Sequence, residues 1–354
     1  MARLLTHLSL FVAIAFGTVG RVGAEPAIEW SVKLENKFVH KDDRTVHALV
    51  RLDARQSQDK ERSQPLNLAL VVDRSGSMRG QKIEDARQAA LKMVERMRDG
   101  DRVSLVSYSS DVRVDVVNTR LTPESRREVN AAIHRLASSG NTNLSGGLIE
   151  GHKQVKEFVS DDATNRVLLI SDGLANRGIT DVKELNRIAR EVFQKGIITT
   201  TIGVGADYNE DLMTAVADNG GGNYYFLKDS SEIAAALNRE VSQMMATVAK
   251  QVSIVIEVTG GAKVERVHGW LTMDDGKTKI VRLSELFAGQ SRSVLCELSL
   301  PAPTGDLPQE ITLGKMTLHY RPAGDAAKDE VLETHPIQIT VTDDTKLVAE
   351  NIDP

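Results

Sequence analysis

The chain runs to 354 residues, long enough for two domains and a substantial core. Its formal net charge of −5 and 4% aromatic content exclude the basic, ring-bearing surface that nucleic-acid binding needs. One cysteine, Cys296, rules out an internal disulfide, so packing must hold the fold together.

Residues 1–24 carry Arg3, the apolar run 8–16 and the small-residue ending Val22-Gly23-Ala24. This is the layout of a signal peptide, with cleavage expected before Glu25 and a secreted or periplasmic mature chain. Beyond it no stretch is apolar enough to serve as a transmembrane anchor. Within 25–63, residues 27–35 and 45–53 alternate with period two and read as half-buried strands. A charged linker covers 54–64.

From 64 to 249 strands alternate with helices, the mark of a parallel sheet covered on both faces. An apolar strand at 66–72 leads into a helix at 80–98, which places Ile83, Ala86, Ala90, Met93, Val94 and Met97 on one face. A strand at 102–107 and a short antiparallel edge strand at 112–117 follow. Helices at 123–136 and 144–159 precede a buried strand at 166–170. A helix at 181–194, a strand at 196–203, a helix at 209–218 and a strand at 223–227 continue the alternation. The last helix, 231–249, turns Ile233, Leu237, Val241, Met244, Met245 and Val248 inward.

From 250 to 345 the period returns to two, with strands at 252–258, 263–268, 277–283, 291–300, 311–320 and 336–341. Asp274-Asp275-Gly276 has the composition of a hairpin turn, and 346–354 is left as a tail. Six such strands suggest an antiparallel β-sandwich. The two strands before residue 54 would be marginal alone and are expected to complete it. The expected fold class is therefore α/β: a doubly wound, mostly parallel sheet inserted into, or followed by, a β-sandwich.

Chemistry concentrates at Asp73-x-Ser75-x-Ser77, where one carboxylate and two hydroxyls leave the strand at 66–72 together. Such an oxygen-rich set suits a hard cation like Mg²⁺, which keeps several of its waters. Thr142, in Gly140-Asn141-Thr142-Asn143, and Asp172, in Ser171-Asp172-Gly173, supply two more oxygen donors at strand-to-helix junctions. Open parallel sheets bind ligands beyond the carboxyl ends of their strands, so the three loops can converge on one spot at one edge of the sheet.

With these five positions in order, residues 64–248 resemble the von Willebrand factor type A family. The stretch 283–300, with its Gly289-Gln290 turn, looks like secreted bacterial members that carry an additional β domain. The resemblance implies a metal-ion-dependent adhesion site of Asp73, Ser75, Ser77, Thr142 and Asp172. It further implies direct metal binding by Ser75 and Ser77, by Thr142 once a ligand is bound, and contact through waters by Asp73 and Asp172. Mg²⁺ is the expected cofactor, with Mn²⁺ or Ca²⁺ as substitutes. Because the direct ligands are mostly neutral hydroxyls, the cation stays electrophilic with one position open. An Asp or Glu of a protein partner suits that position best. In some members a shift at the metal couples to displacement of the last helix, here 231–249.

The expected function is a non-enzymatic protein-binding module for adhesion or assembly. A metal-dependent phosphotransferase or hydrolase using Asp73 is the alternative from another class. Such enzymes resemble Asp-x-Asp, whereas Ser75 holds the second position, and no lysine or histidine is placed by sequence as a general acid. A scaffold with a non-functional metal site is the third reading, since each residue alone also suits a cap or a turn. Gly203-Val204-Gly205 lacks the third glycine of a dinucleotide fingerprint, and Gly76 to Lys82 has the wrong spacing for a phosphate loop.

Overall fold

The computed structural model describes residues 26–56, 64–206, 208–270, 272–274, 278–323 and 331–352. The expected signal peptide, most of the linker, residues 275–276 of the expected turn and residue 277 of the expected strand lie outside the described residues. The chain opens with β1 (Ile28–Leu34), the short β2 (Phe38–His40) and β3 (Thr45–Ala54). Along β3 every second residue is buried, as a strand with one core face requires.

The α/β layer begins at β4 (Leu66–Asp73), whose eight residues are all buried. It continues through α1 (Gln81–Arg96), β5 (Arg102–Tyr108), β6 (Val112–Arg120), α2 (Pro123–His134), α3 (Leu144–Lys156) and β7 (Thr164–Ser171). Next come α4 (Val182–Phe193), β8 (Ile198–Val204), α5 (Glu210–Asn219), β9 (Gly221–Leu227) and α6 (Ile233–Met245). The strands order as β6-β5-β4-β7-β8-β9, parallel except for the antiparallel edge β6.

Both faces of this sheet are covered, which explains why β4 shows no alternation. Leu68, Leu70 and Val72 join a core with α1, α2 and α6. Ala69 and Val71 join a second core with α3, α4 and α5. Helix α3 lies unusually close to the sheet because glycines face it. A Cβ on Gly147 would fall 2.4 Å from the Tyr108 ring, and one on Gly151 2.4 Å from Val71.

The remaining strands are β10 (Thr247–Val258), β11 (Lys263–His268), β12 (Thr272–Asp274), β13 (Thr278–Phe287), β14 (Ser291–Ser299), β15 (Gln309–Pro322) and β16 (Val331–Thr342). They form two sheets, β1-β3-β14-β11 and β12-β13-β10-β15-β16-β2. One core fills the space between them, from Val46, Val50 and Leu52 on β3 to Ile254, Ile256 and Leu318 opposite. Cys296 is buried there as a free thiol, with its pKa pushed up to about 12 by desolvation. Strand β3 pairs with β1 on one side and β14 on the other, so the α/β layer is inserted into the sandwich. Gly289 and Gln290 turn the chain from one sheet to the other, because β13 and β14 belong to different sheets.

Several elements differ from expectation: β16 begins at Val331 rather than 336, β6 runs to Arg120, α3 ends at Lys156, and β12 is a further short strand. The last helix stops at Met245, and Val248 lies in β10. The expected tail begins as a short helix, α7 (Thr345–Glu350), capped by Asp344. Strand β2 adds a parallel pairing to β16 at Phe38–His40.

A buried ionic cluster fastens the inserted layer to the sandwich. Arg166 on β7 gives one guanidinium nitrogen to Glu240 on α6 at 2.7 Å and another to Glu285 on β13 at 2.8 Å. Glu240 also accepts from Thr200, Asn223 and Tyr225. Burial alone would raise the Glu240 carboxyl, but Arg166 and these donors outweigh it and hold it below the usual range.

Candidate metal centre

Strands β4 and β7 are the two central neighbours of the sheet, and the chain winds away from them in opposite directions. Their carboxyl ends therefore form the crevice at which doubly wound folds bind ligands. Asp73 ends β4, and Asp172 directly follows β7. The loop before α3 brings Thr142 alongside, held by a backbone bond from Gly76 to the Gly140 carbonyl at 2.9 Å.

Asp73 is fully buried. One of its oxygens accepts the Ser75 N–H at 2.8 Å, and the other accepts the Ser171 hydroxyl at 2.8 Å. Desolvation pushes its carboxyl up to about 6, and the nearby charge of Asp172 adds to the rise. The Ser75 and Ser77 hydroxyls lie 2.9 Å apart, and Ser77 donates to Asp172 at 2.7 Å.

Gly173 reveals where these groups point. A Cβ placed on it would fall 3.1 Å from the Ser77 hydroxyl, 3.2 Å from the Thr142 hydroxyl and 3.9 Å from that of Ser75. Three hydroxyls from two loops thus surround one small space that a side chain would fill. An opening of about 260 Å³ lies over it, with Asn141, Leu174 and Asn176 among its lining residues. Leu174 is 59% exposed on this rim. The donor set, three hydroxyls backed by two carboxylates, fits a hard divalent cation that retains water. Among the described residues no group of three or more His, Cys, Asp or Glu side chains is placed to hold a metal.

All five sequence-derived residues are brought to this crevice. Two others were not legible in advance. Arg74, almost fully buried, donates to Asp111 at 2.8 Å and to Ser139 at 3.2 Å, tying the loops after β5 and α2 to the end of β4. Lys82, in the first turn of α1, places its ammonium 2.6 Å from Asp172. The sequence by itself places no lysine here; the fold brings Lys82 in, against Asp172. The only advance signal was Lys82's position two residues after Gly80, since helical side chains lean back toward the N-terminus.

The sheet order and the oxygen-lined crevice define a doubly wound α/β domain, and residues 67–239 belong to the von Willebrand factor type A domain family, whose model they match. Domains of this family typically mediate protein–protein interaction and are typically not enzymes. The chain is 32% identical over 294 residues to the uncharacterized protein YfbK of Escherichia coli, covering 80% of this chain and 49% of that protein. It therefore spans about half of that relative's length. The inter-alpha-trypsin inhibitor heavy chain H3 of Homo sapiens matches at 27% identity over 159 residues, 43% of this chain and 18% of that protein. Among solved structures, a von Willebrand factor type A protein from Catenulispora acidiphila superposes with a TM-score of 0.77 at 19% identity, covering 92% of this chain and 76% of that one. This last likeness shows that the fold extends through the sandwich as well as the α/β layer.

Proposed function

We propose that the chain is a metal-dependent protein-binding module of adhesion or assembly, acting outside the cytoplasm. Ser75, Ser77 and Thr142 would hold Mg²⁺, with Asp73 and Asp172 acting through waters. The carboxylate of an Asp or Glu on a partner protein would complete the coordination sphere. The observation that carries this reading is the convergence of three hydroxyls on the space beside Gly173, with two buried carboxylates behind them. Exposed Leu174 at the rim supports a protein ligand, since it offers apolar contact beside the metal.

The test is a calorimetric titration of the chain with Mg²⁺ and Mn²⁺, alongside Ser75→Ala, Asp172→Ala and Gly173→Ala. Saturable binding by the parent chain, lost in the first two variants and weakened at least about tenfold in the third, is the expected result. In Gly173→Ala the added methyl competes for the cation's own space while the fold is otherwise spared. Equal binding by all four chains would place the metal elsewhere and sink the proposal.

A further inference from the structure

A positively charged side chain stands inside the site that is meant to receive a cation. The Lys82 ammonium is 2.6 Å from one oxygen of Asp172, whose other oxygen accepts the Ser77 hydroxyl. Asp172 is fully buried, whereas Lys82 remains 32% exposed. A carboxylate taken out of water needs a counter-charge, and within its hydrogen-bonding reach Lys82 is the cation provided. Asp73, by contrast, is satisfied by neutral donors alone.

We infer that Lys82 is the resident counter-ion of the metal-free site and competes with the divalent cation for Asp172. This deepens the metal-dependent reading above and rests on it. A divalent ion held through water by Asp172 and an ammonium bonded to the same carboxylate repel each other at close range. The repulsion favours withdrawal of Lys82, whose side chain is 32% exposed. Its head group is partly exposed and lies beside Gly205, which carries no side chain to hold it in place. It sits in the first turn of α1 on a flexible four-carbon stem, so withdrawal needs only a change of its own rotamers.

Two consequences follow. The cation alone binds weakly, because displacing Lys82 from Asp172 opposes it. Negative charge from a partner offsets the same repulsion, so metal and acidic ligand strengthen each other's binding, as reciprocal linkage requires. The displaced ammonium is then free to meet a second carboxylate near the one that reaches the metal. The favoured partner segment thus carries two acidic groups rather than one.

The experiment is a Mg²⁺ titration by calorimetry of the parent chain, Lys82→Met, Lys82→Arg and Lys92→Met, with thermal melts in chelator and in Mg²⁺. Lys92 is exposed on the same helix, about 15 Å further along its axis, and controls for general loss of charge. Lys82→Met is expected to bind Mg²⁺ about tenfold tighter or more, about 1.4 kcal/mol. It should melt lower than the parent in chelator and gain more from the metal. Lys82→Arg should stay within about threefold of the parent, and Lys92→Met should not differ from it. Unchanged or weaker binding by Lys82→Met overturns the inference while leaving the metal site standing. Equal tightening by Lys92→Met overturns it too, as a general charge effect. If no chain binds, Lys82→Met included, the metal-dependent reading itself falls.

Discussion

At the scale of single residues, His152 carries a clear pH signature. It lies on the buried face of α3 with one ring nitrogen 2.8 Å from the Thr199 hydroxyl and the other without a partner. Burial is the sole cause that lowers its pKa, from 6.5 to about 4. Above pH 6.5 the ring is neutral in both folded and unfolded chains. As pH falls from there to about 4, only the unfolded chain takes up the proton, and stability on the order of 3 kcal/mol is lost. Urea unfolding should therefore give His152→Gln a disadvantage at pH 7.5 that shrinks steadily toward pH 4.5. A difference that stays constant over that range would mean the ring is not held neutral. The five donor residues were readable because Asp73, Ser75 and Ser77 sit at alternate positions from the end of one strand, and because Thr142 and Asp172 follow recognisable strand and loop patterns. Lys82 and Arg74 were not readable, since their partners are 90 and 37 residues away and only the assembled sheet brings them near.

Among the elements, α6 decides whether a change at the metal can travel. The family resemblance raised the prospect of a mobile last helix, but here Glu240 fixes α6 to β7, β8 and β9 through four donors. Sliding the helix would separate a buried ion pair, and losing one partner of such a pair costs on the order of 3–5 kcal/mol. Two outcomes are expected. Glu240→Gln should lower the unfolding free energy by roughly that amount, or somewhat less because the amide keeps part of the hydrogen bonding. Hydrogen exchange across 233–245 should be slow and unaltered by Mg²⁺; faster exchange on adding the metal would show that the anchor yields. The end of this helix was misjudged for a physical reason. Apolar residues at 244, 245 and 248 fit a helical face as well as they fit a strand, and no Gly or Pro stands between them. Only β-branched Thr247 and Val248 hinted at the change. Strands with alternating burial, such as β3 and β14, were by contrast read at nearly their observed bounds.

At the scale of the whole molecule, the inserted topology makes the first strands indispensable to the last. Strand β3 lies between β1 and β14, and its Val46, Ala48, Val50 and Leu52 contribute to the sandwich core. Deleting residues 26–56 is expected to expose 250–342 to proteolysis, although none of the deleted residues belongs to that stretch. Continued resistance there would show that the sandwich closes without them. The same topology sets the direction in which force can act. Chain enters the α/β layer at Leu66 and leaves it after Met245, both at the end nearest the sandwich, while Asp73 and Asp172 lie at the far end of β4 and β7. A load applied between a ligand on the crevice and the sandwich pulls β4 lengthwise. Its ladders to β5 and β7 then resist in shear, with every rung loaded together rather than peeled in turn. A ligand held at the crevice as proposed would thus load the sheet along its most resistant direction.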